Sequence, residues 1–231
     1  MKRFYRAALA AEVSGGWQVQ LDLRGVKTVA GAAQLVPNAA LAETLAAEWA
    51  AQGETIEPAS FVLRDLADYA IDVVAPDPAG AARAMLRFAE TDTLCYRAEP
   101  DEPLAARQDE VWEPLLRAAE ARYDVHFERI AGVLHRPQPP ATLSRLEQVL
   151  LAQEPFTLSA LNTMAGLAAS LVVALAALEP EADPDALWSA ANLEEDWQAE
   201  QWGQDYEAAD LRARRLAIFA AAMAFADNSG T

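Results

Sequence analysis

The sequence predicts an α+β fold, in which a small, mostly-β N-terminal domain is followed by a larger multihelical domain. Apolar and polar residues alternate over residues 17–24, which is the period of a half-buried strand. From residue 38 onward, apolar residues instead recur at helical spacing. Pro76 and Pro78 then break the chain, so we expect the two domains to span 1–75 and 76–231.

The N-terminal domain is predicted to open with a β-hairpin. Ser14-Gly15-Gly16 is a turn signal, and it separates candidate strands over 3–12 and 17–23. Arg24-Gly25 is a second interruption of the pattern, so residues 26–29 are predicted to form a third strand.

Helices are predicted to complete this domain. Asn38 is a plausible N-cap, because its side-chain oxygen can accept a hydrogen bond from a free backbone N–H. Leu41, Leu45 and Trp49 lie four residues apart, so we expect them to share one buried helix face. A second helix is predicted over 61–71.

The rest of the chain is predicted to be mostly helical. Short runs at 93–97 and 125–129 are candidate strands, available to pair with the N-terminal region. Pro114 is expected to kink or split the helix that contains it. The predicted helices span 79–89, 104–123, 141–153, 156–178, 184–202 and 205–227.

One uncharged stretch, 155–178, is long enough to cross a bilayer. Polar residues and many alanines dilute it, acids flank it at both ends, and no Trp or Tyr lies at its ends. We therefore interpret it as a buried core helix and expect no membrane insertion.

The chain is strongly acidic, with 18 Lys and Arg residues against 35 Asp and Glu residues. The segment from Glu179 to Asp210 holds eleven acids and no base. Such a charge repels phosphate groups, which argues against nucleic acid and anionic membranes as partners. One cysteine and two histidines leave little material for a disulfide framework or a metal centre, so we assign no metal and no cofactor.

The predicted helix over 184–202 carries the most information about function. A helical wheel places Trp188, Trp197 and Trp202 in one apolar arc, with Glu194 and Gln198 at its centre. A lone carboxylate buried there would be costly. Either it pairs with an arginine of the next helix, or it faces a wet cleft, or it belongs to a surface that binds another protein.

We assign a protein-binding surface and no catalytic residue. Glu194 and Glu195 are adjacent, so they point about 100° apart and do not face one substrate together. No nucleotide-binding, nucleophile-elbow or zinc-protease motif is present. The candidate binding residues are Glu194, Glu195, Gln198, Trp202, Trp188 and Trp197, with Trp49, Arg212 and Arg215 as secondary candidates.

Four groups of residues, spread in order over nearly the whole chain, resemble the assembly chaperones that act on the alpha subunit of the catalytic head of F-type ATP synthase. They are Lys2-Arg3-Phe4-Tyr5 with Gly16-Trp17, Leu21-Asp22 and Lys27-Thr28; Val36-Pro37 with Leu41-Ala42, Glu48-Trp49, Gln52 and Thr55-Ile56; Thr91–Arg97 with Trp112-Glu113-Pro114-Leu115; and Leu193-Glu194-Glu195 with Gln198, Trp202-Gly203 and the arginines after Leu211.

The resemblance implies a non-enzymatic protein that holds the alpha subunit until it joins the beta subunit. It also implies that the protein lies in the bacterial cytoplasm, whereas eukaryotic relatives lie in the mitochondrial matrix. We expect a monomer, because a protein that holds single subunits needs only one copy. Two alternatives stay open: an acidic hydrolase-type enzyme with a cleft between the domains, and an acidic adaptor for another client.

Overall fold

The computed structural model describes residues 1–132, 135–203 and 205–230, and it confirms the predicted α+β class. The chain divides into two compact units. The first comprises Met1–Ala81, Glu154–Ala160 and Ala224–Thr231, and the second comprises Ala82–Gln153 and Leu161–Met223. The division into independent domains over 1–75 and 76–231 stays a prediction.

The first unit is built on a small antiparallel sheet, which confirms the predicted hairpin. Its strands are β1 (Ala8–Val13), β2 (Gly16–Leu21), β3 (Arg24–Gly25) and β4 (Leu35–Val36). Strand β2 is central, since β1, β3 and β4 all pair with it. The predicted strand over 26–29 is wrong. Val26 N still donates to Val19 O of β2 at 2.8 Å, but beyond it Lys27 makes only an isolated bridge to Ala33. The chain turns there, with Gly31 N donating to Thr28 O at 2.9 Å.

Helix α1 (Ala39–Ala50) packs on this sheet and supplies much of the core. The Asn38 cap is confirmed, because its Oδ1 accepts a hydrogen bond from Leu41 N at 2.9 Å. Leu41, Leu45 and Trp49 are buried on one face, as their spacing predicts. Helix α2 (Val62–Tyr69) follows, and a wider π turn over Ala70–Val74 continues it.

The remaining chain forms nine helices and two short strands in the described ranges. They are α3 (Pro78–Met85), α4 (Arg87–Glu90), β5 (Tyr96–Arg97), α5 (Pro103–Tyr123), β6 (Ile130–Ala131), α6 (Pro140–Leu151), α7 (Pro155–Ala168), α8 (Leu171–Ala176), α9 (Pro184–Ala191), α10 (Leu193–Trp202) and α11 (Tyr206–Ser229). Helix α5 runs through Pro114 without splitting.

The two strands of the second unit pair with each other in parallel, so the expectation that they join the N-terminal sheet is wrong. The paired residues are Tyr96 with Ile130 and Arg97 with Ala131. Most of the predicted strand over 93–97 is a 3₁₀ turn at Thr93–Cys95, because the Asp92 side chain caps it through Leu94 N.

The uncharged stretch over 155–178 is two helices rather than one. Ala169 adopts a positive φ of 49°, which ends α7, and the Ser170 hydroxyl then caps α8 by accepting from Val173 N at 3.0 Å. Asp92 adds a second cap, accepting from Val172 N at 2.9 Å. Across the described ranges, no helix has both the length and the apolar character that a membrane span requires.

Candidate protein-binding surface

The segment predicted as one helix over 184–202 consists of α9 and α10, so the continuous helix is wrong. The chain bends at Asn192, whose side-chain Nδ2 donates to Trp188 O at 2.8 Å. An asparagine amide competes in this way with the regular backbone ladder. The break is confined to residue 192, and Trp188, Glu195 and Gln198 from either side of it still line one groove.

Glu194 lies on the exposed side of α10 rather than within a buried stripe. Its Oε1 accepts a hydrogen bond from Gln108 Nε2 at 2.7 Å. Gln108 is itself fully buried on α5, and its Oε1 accepts from Ala98 N at 2.7 Å. The Glu194 carboxylate is therefore held in one orientation while it stays open to solvent.

The alternative of an internal ion pair for Glu194 does not hold in the described part of the chain, where no guanidinium lies within 4.0 Å of this carboxylate. Arg212 pairs instead with Asp196, and its Nη2 donates to Asp196 Oδ2 at 2.7 Å. Burial lowers the pKa of the Arg212 guanidinium from its ordinary value, and the nearby Glu195 carboxylate acts in the opposite direction. Arg215 Nη2 donates to Leu167 O at 3.0 Å. Both arginines thus tie α11 to neighbouring helices of the second unit.

The predicted tryptophans separate into buried and exposed side chains. Trp188 is only 2% exposed and packs against Phe219, so we remove it from the candidate surface. Trp197 is half-buried on α10, and Trp202, the last residue of that helix, is 80% exposed. Trp49 lies in the core of the first unit, where its indole packs against Tyr5 and Phe61.

The sequence analysis missed two exposed apolar side chains that extend this surface. Tyr206 is 88% exposed at the start of α11, and Leu211 is also exposed. Gly203, at a positive φ of 93°, ends α10 directly after Trp202 and before Tyr206 and Leu211. The available signal in the sequence was that Tyr206 and Leu211 lie among the acids at positions 205, 207 and 210.

A shallow groove of about 420 Å³ runs along this part of α10 and α11. Its lining includes Glu195, Gln198, Trp202, Leu211 and Arg212. We call the exposed residues of this region the α10 surface; it comprises Glu194, Glu195, Gln198, Trp202, Tyr206 and Leu211.

The α10 surface combines negative charge with exposed apolar area. Glu194 and Glu195 lie in the first turn of α10, where the helix dipole stabilises carboxylates. Within residues 1–132, 135–203 and 205–230, no group of three or more His, Cys, Asp or Glu side chains is arranged to hold a metal ion. Carboxylates beside an exposed indole and phenol are suited to binding a basic and apolar protein surface.

Comparison with known structures first defines the class of protein. The fold matches the crystal structure of Atp12 from Paracoccus denitrificans at a TM-score of 0.90 and 33% identity, over 99% of this chain and 98% of that one. It matches a candidate chaperone from Agrobacterium tumefaciens at a TM-score of 0.93 and 38% identity, over 98% of this chain and 85% of that one. The class is therefore an assembly chaperone.

Sequence comparison then defines the family. The model of the ATP12 chaperone protein matches residues 2–120. Protein atp12, mitochondrial, of Schizosaccharomyces pombe is 24% identical over an alignment 222 residues long, which covers 91% of this chain and 76% of that protein. The chain belongs to the ATP12 chaperone family, whose members assist assembly of the ATP synthase.

Proposed function

We propose that this chaperone binds the unassembled alpha subunit of the F-type ATP synthase catalytic head and shields its subunit interface until the beta subunit joins. The contact is made by the α10 surface. The observation that carries this assignment is the Glu194 carboxylate, which is exposed and yet oriented by a buried glutamine. A fixed carboxylate loses little conformational entropy when a basic partner binds.

Two exposed aromatic side chains, Trp202 at the end of α10 and Tyr206 at the start of α11, supply the apolar part of the contact. Trp and Tyr side chains are typical of binding hot spots. An unassembled subunit exposes apolar area that its partner later covers, and such area promotes aggregation. A chaperone contact that is smaller and more polar than the final interface covers this area and still releases it.

The composition of the α10 surface also defines the kind of client area that it fits. Its carboxylates require basic side chains opposite them, and Trp202, Tyr206 and Leu211 require apolar ones. We propose that one monomer holds one alpha subunit in the bacterial cytoplasm.

A charge-reversal pair tests the proposal. Glu194→Lys places a cation where the client must supply one, so we expect its Kd for the purified alpha subunit to rise by about tenfold or more. Glu110→Lys is the matched control, because Glu110 is exposed on α5 and makes the same charge change away from the α10 surface. Unchanged affinity in a folded Glu194→Lys protein would remove Glu194 from the contact.

A further inference from the structure

A second surface with the opposite charge lies in the first unit. It is a depression of about 400 Å³, which we call the N-terminal depression. Its lining combines apolar side chains with three cations and one carboxylate, and we call Arg24 and Lys27 its rim. The residues that define it are Phe4, Leu21, Arg24, Val26, Lys27 and Trp49.

The loop beside this depression is held rigidly by two carboxylates. Asp68 Oδ2 accepts from Val29 N at 3.2 Å, and Asp72 accepts from Thr28 Oγ1 at 2.7 Å and from Ala30 N at 3.1 Å. The Thr28 hydroxyl also accepts from Ala32 N at 3.1 Å. This loop presents Val29 to solvent at 87% exposure, although an apolar side chain gains nothing there in the isolated chain.

The charges at the rim are available to a partner. In the described part of the chain, neither Arg24 nor Lys27 has a carboxylate within 4.0 Å. Arg64, which also lines the depression, is paired with Asp65 at 2.6 Å. The Asp68 carboxylate, which also lines the depression, accepts from Gln34 Nε2 at 2.6 Å and from Val29 N at 3.2 Å. Both donors are neutral, so Asp68 offsets one of the cations and the lining stays positive overall.

We propose that the N-terminal depression binds an extended segment of the client polypeptide in which an apolar side chain is flanked by carboxylates. Its apolar side chain contacts Phe4, which is 60% exposed, and its carboxylates pair with Arg24 and Lys27. The identity of the client rests on the proposed function above. The preformed loop lowers the entropy cost of such a contact.

The size of the depression favours a short segment over a second copy of this chain. A volume of about 400 Å³ lies within the range of sites that hold a small ligand or a few side chains. A stable dimer instead needs roughly 1,600 Å² of buried surface. Charge complementarity selects an acidic segment, because the lining carries three cations, Arg24, Lys27 and Arg64, against the single carboxylate of Asp68.

Carbodiimide cross-linking tests the proposed occupant directly, because the chain has only two lysines, Lys2 and Lys27. With the full chain bound to the purified alpha subunit, we expect an amide between Lys27 and an Asp or Glu of the alpha subunit, identified by mass spectrometry. Lys27→Arg keeps the charge and lacks the amine, so it should keep its affinity and lose this cross-link. Cross-links through Lys2 alone would contradict the proposal.

An affinity series completes the test. Lys27→Glu combined with Arg24→Glu should weaken alpha-subunit binding by about tenfold. The control is Lys2→Glu combined with Arg6→Glu, an equal charge change outside the depression. Its Kd should stay within about twofold of that of the unmodified chain. Tight binding by both double variants overturns this proposal and leaves the proposed function standing. Absence of binding by the unmodified chain overturns both. A dimer of the unmodified chain that Lys27→Glu dissociates assigns the depression to a second copy and overturns the proposal.

Discussion

At the scale of single residues, the proposed contact depends on how Gln108 orients Glu194. Gln108 is buried and uses both ends of its amide, one for Ala98 N and one for the Glu194 carboxylate. A buried amide with both ends satisfied defines one geometry, since any other leaves a polar group without a partner. The buried Gln108 amide therefore fixes the position of the exposed Glu194 carboxylate.

Gln108→Ala tests this positioning role. The Ala98 N–H loses its acceptor, so we expect the free energy of unfolding to fall by about 1–3 kcal/mol in urea denaturation. Affinity for the alpha subunit should fall as well, because the Glu194 carboxylate is no longer held. Gln148→Ala, an exposed glutamine on α6, is the control and should change neither quantity. A stable Gln108→Ala protein with full affinity would contradict the assigned role.

At the scale of elements, an ion-pair network joins β6 to α5. Arg129 Nη2 donates to Glu113 Oε1 at 2.9 Å, and its guanidinium also pairs with Glu120. Hydrogen bonds from Arg129 hold the pKa of Glu113 below its ordinary value. Burial acts to raise the pKa of Glu120, but the bonds from Arg129 and from Phe127 N outweigh it and the pKa is lowered.

The network predicts a definite dependence of stability on pH. Because both carboxylates have depressed pKa values in the folded chain, their stabilisation is complete above their ordinary pKa of 4.5 and is lost as pH falls through the lower folded values. Arg129→Met should reduce the free energy of unfolding at pH 7 by about 2 kcal/mol. This value lies between the cost of losing an exposed ion pair and the cost of breaking a buried one. Its loss of stability between pH 5 and about pH 3 should be smaller than that of the unmodified chain. Parallel pH curves for the two proteins would contradict this role.

Some of the helices and strands could be predicted from the sequence alone, and others could not. Period and turn signals predicted the β1–β2 hairpin and the Asn38 cap, because each depends on a few neighbouring residues. The breaks at Asn192 and Ala169 could not be predicted in this way, since an asparagine or alanine inside a helical pattern is ordinary. The two-residue strands β5 and β6 depend on tertiary packing and have no periodic signal.

The difference between features set by neighbouring residues and features set by tertiary packing also explains which parts of the candidate site were predicted. The helical wheel identified Glu194 as an acid within an apolar arc, whereas its side chain is exposed. The wheel also assigned Trp188 to the surface, whereas this indole is buried because it packs against Phe219. Tyr206 and Leu211 were missed because exposure depends on what packs on α11.

At the scale of the whole molecule, the charges are segregated along the chain. Residues 1–75 carry six basic and nine acidic residues, whereas 76–231 carry twelve and twenty-six. Under the two proposals, the acidic segment around α10 attracts a basic client surface from a distance, and the N-terminal depression attracts an acidic segment.

This segregation predicts a salt-dependent association rate. Long-range attraction between the acidic α10 region and a basic client surface is screened as the Debye length falls to about 8 Å at physiological ionic strength. The association rate constant with the alpha subunit, measured by stopped flow, should therefore fall by about tenfold between roughly 0.02 M and 0.5 M salt, while the dissociation rate constant changes less. An association rate that is independent of salt would show that the acidic segment does not steer encounter.

The contact itself is tested most directly by hydrogen–deuterium exchange of the full chain with and without the purified alpha subunit. The account requires slower exchange of backbone amides in α10 and the first turn of α11 when the client is bound, with α6 unchanged as an internal reference. Exchange in α10 that is the same in the free and bound chaperone, under conditions where a complex is present, would contradict it.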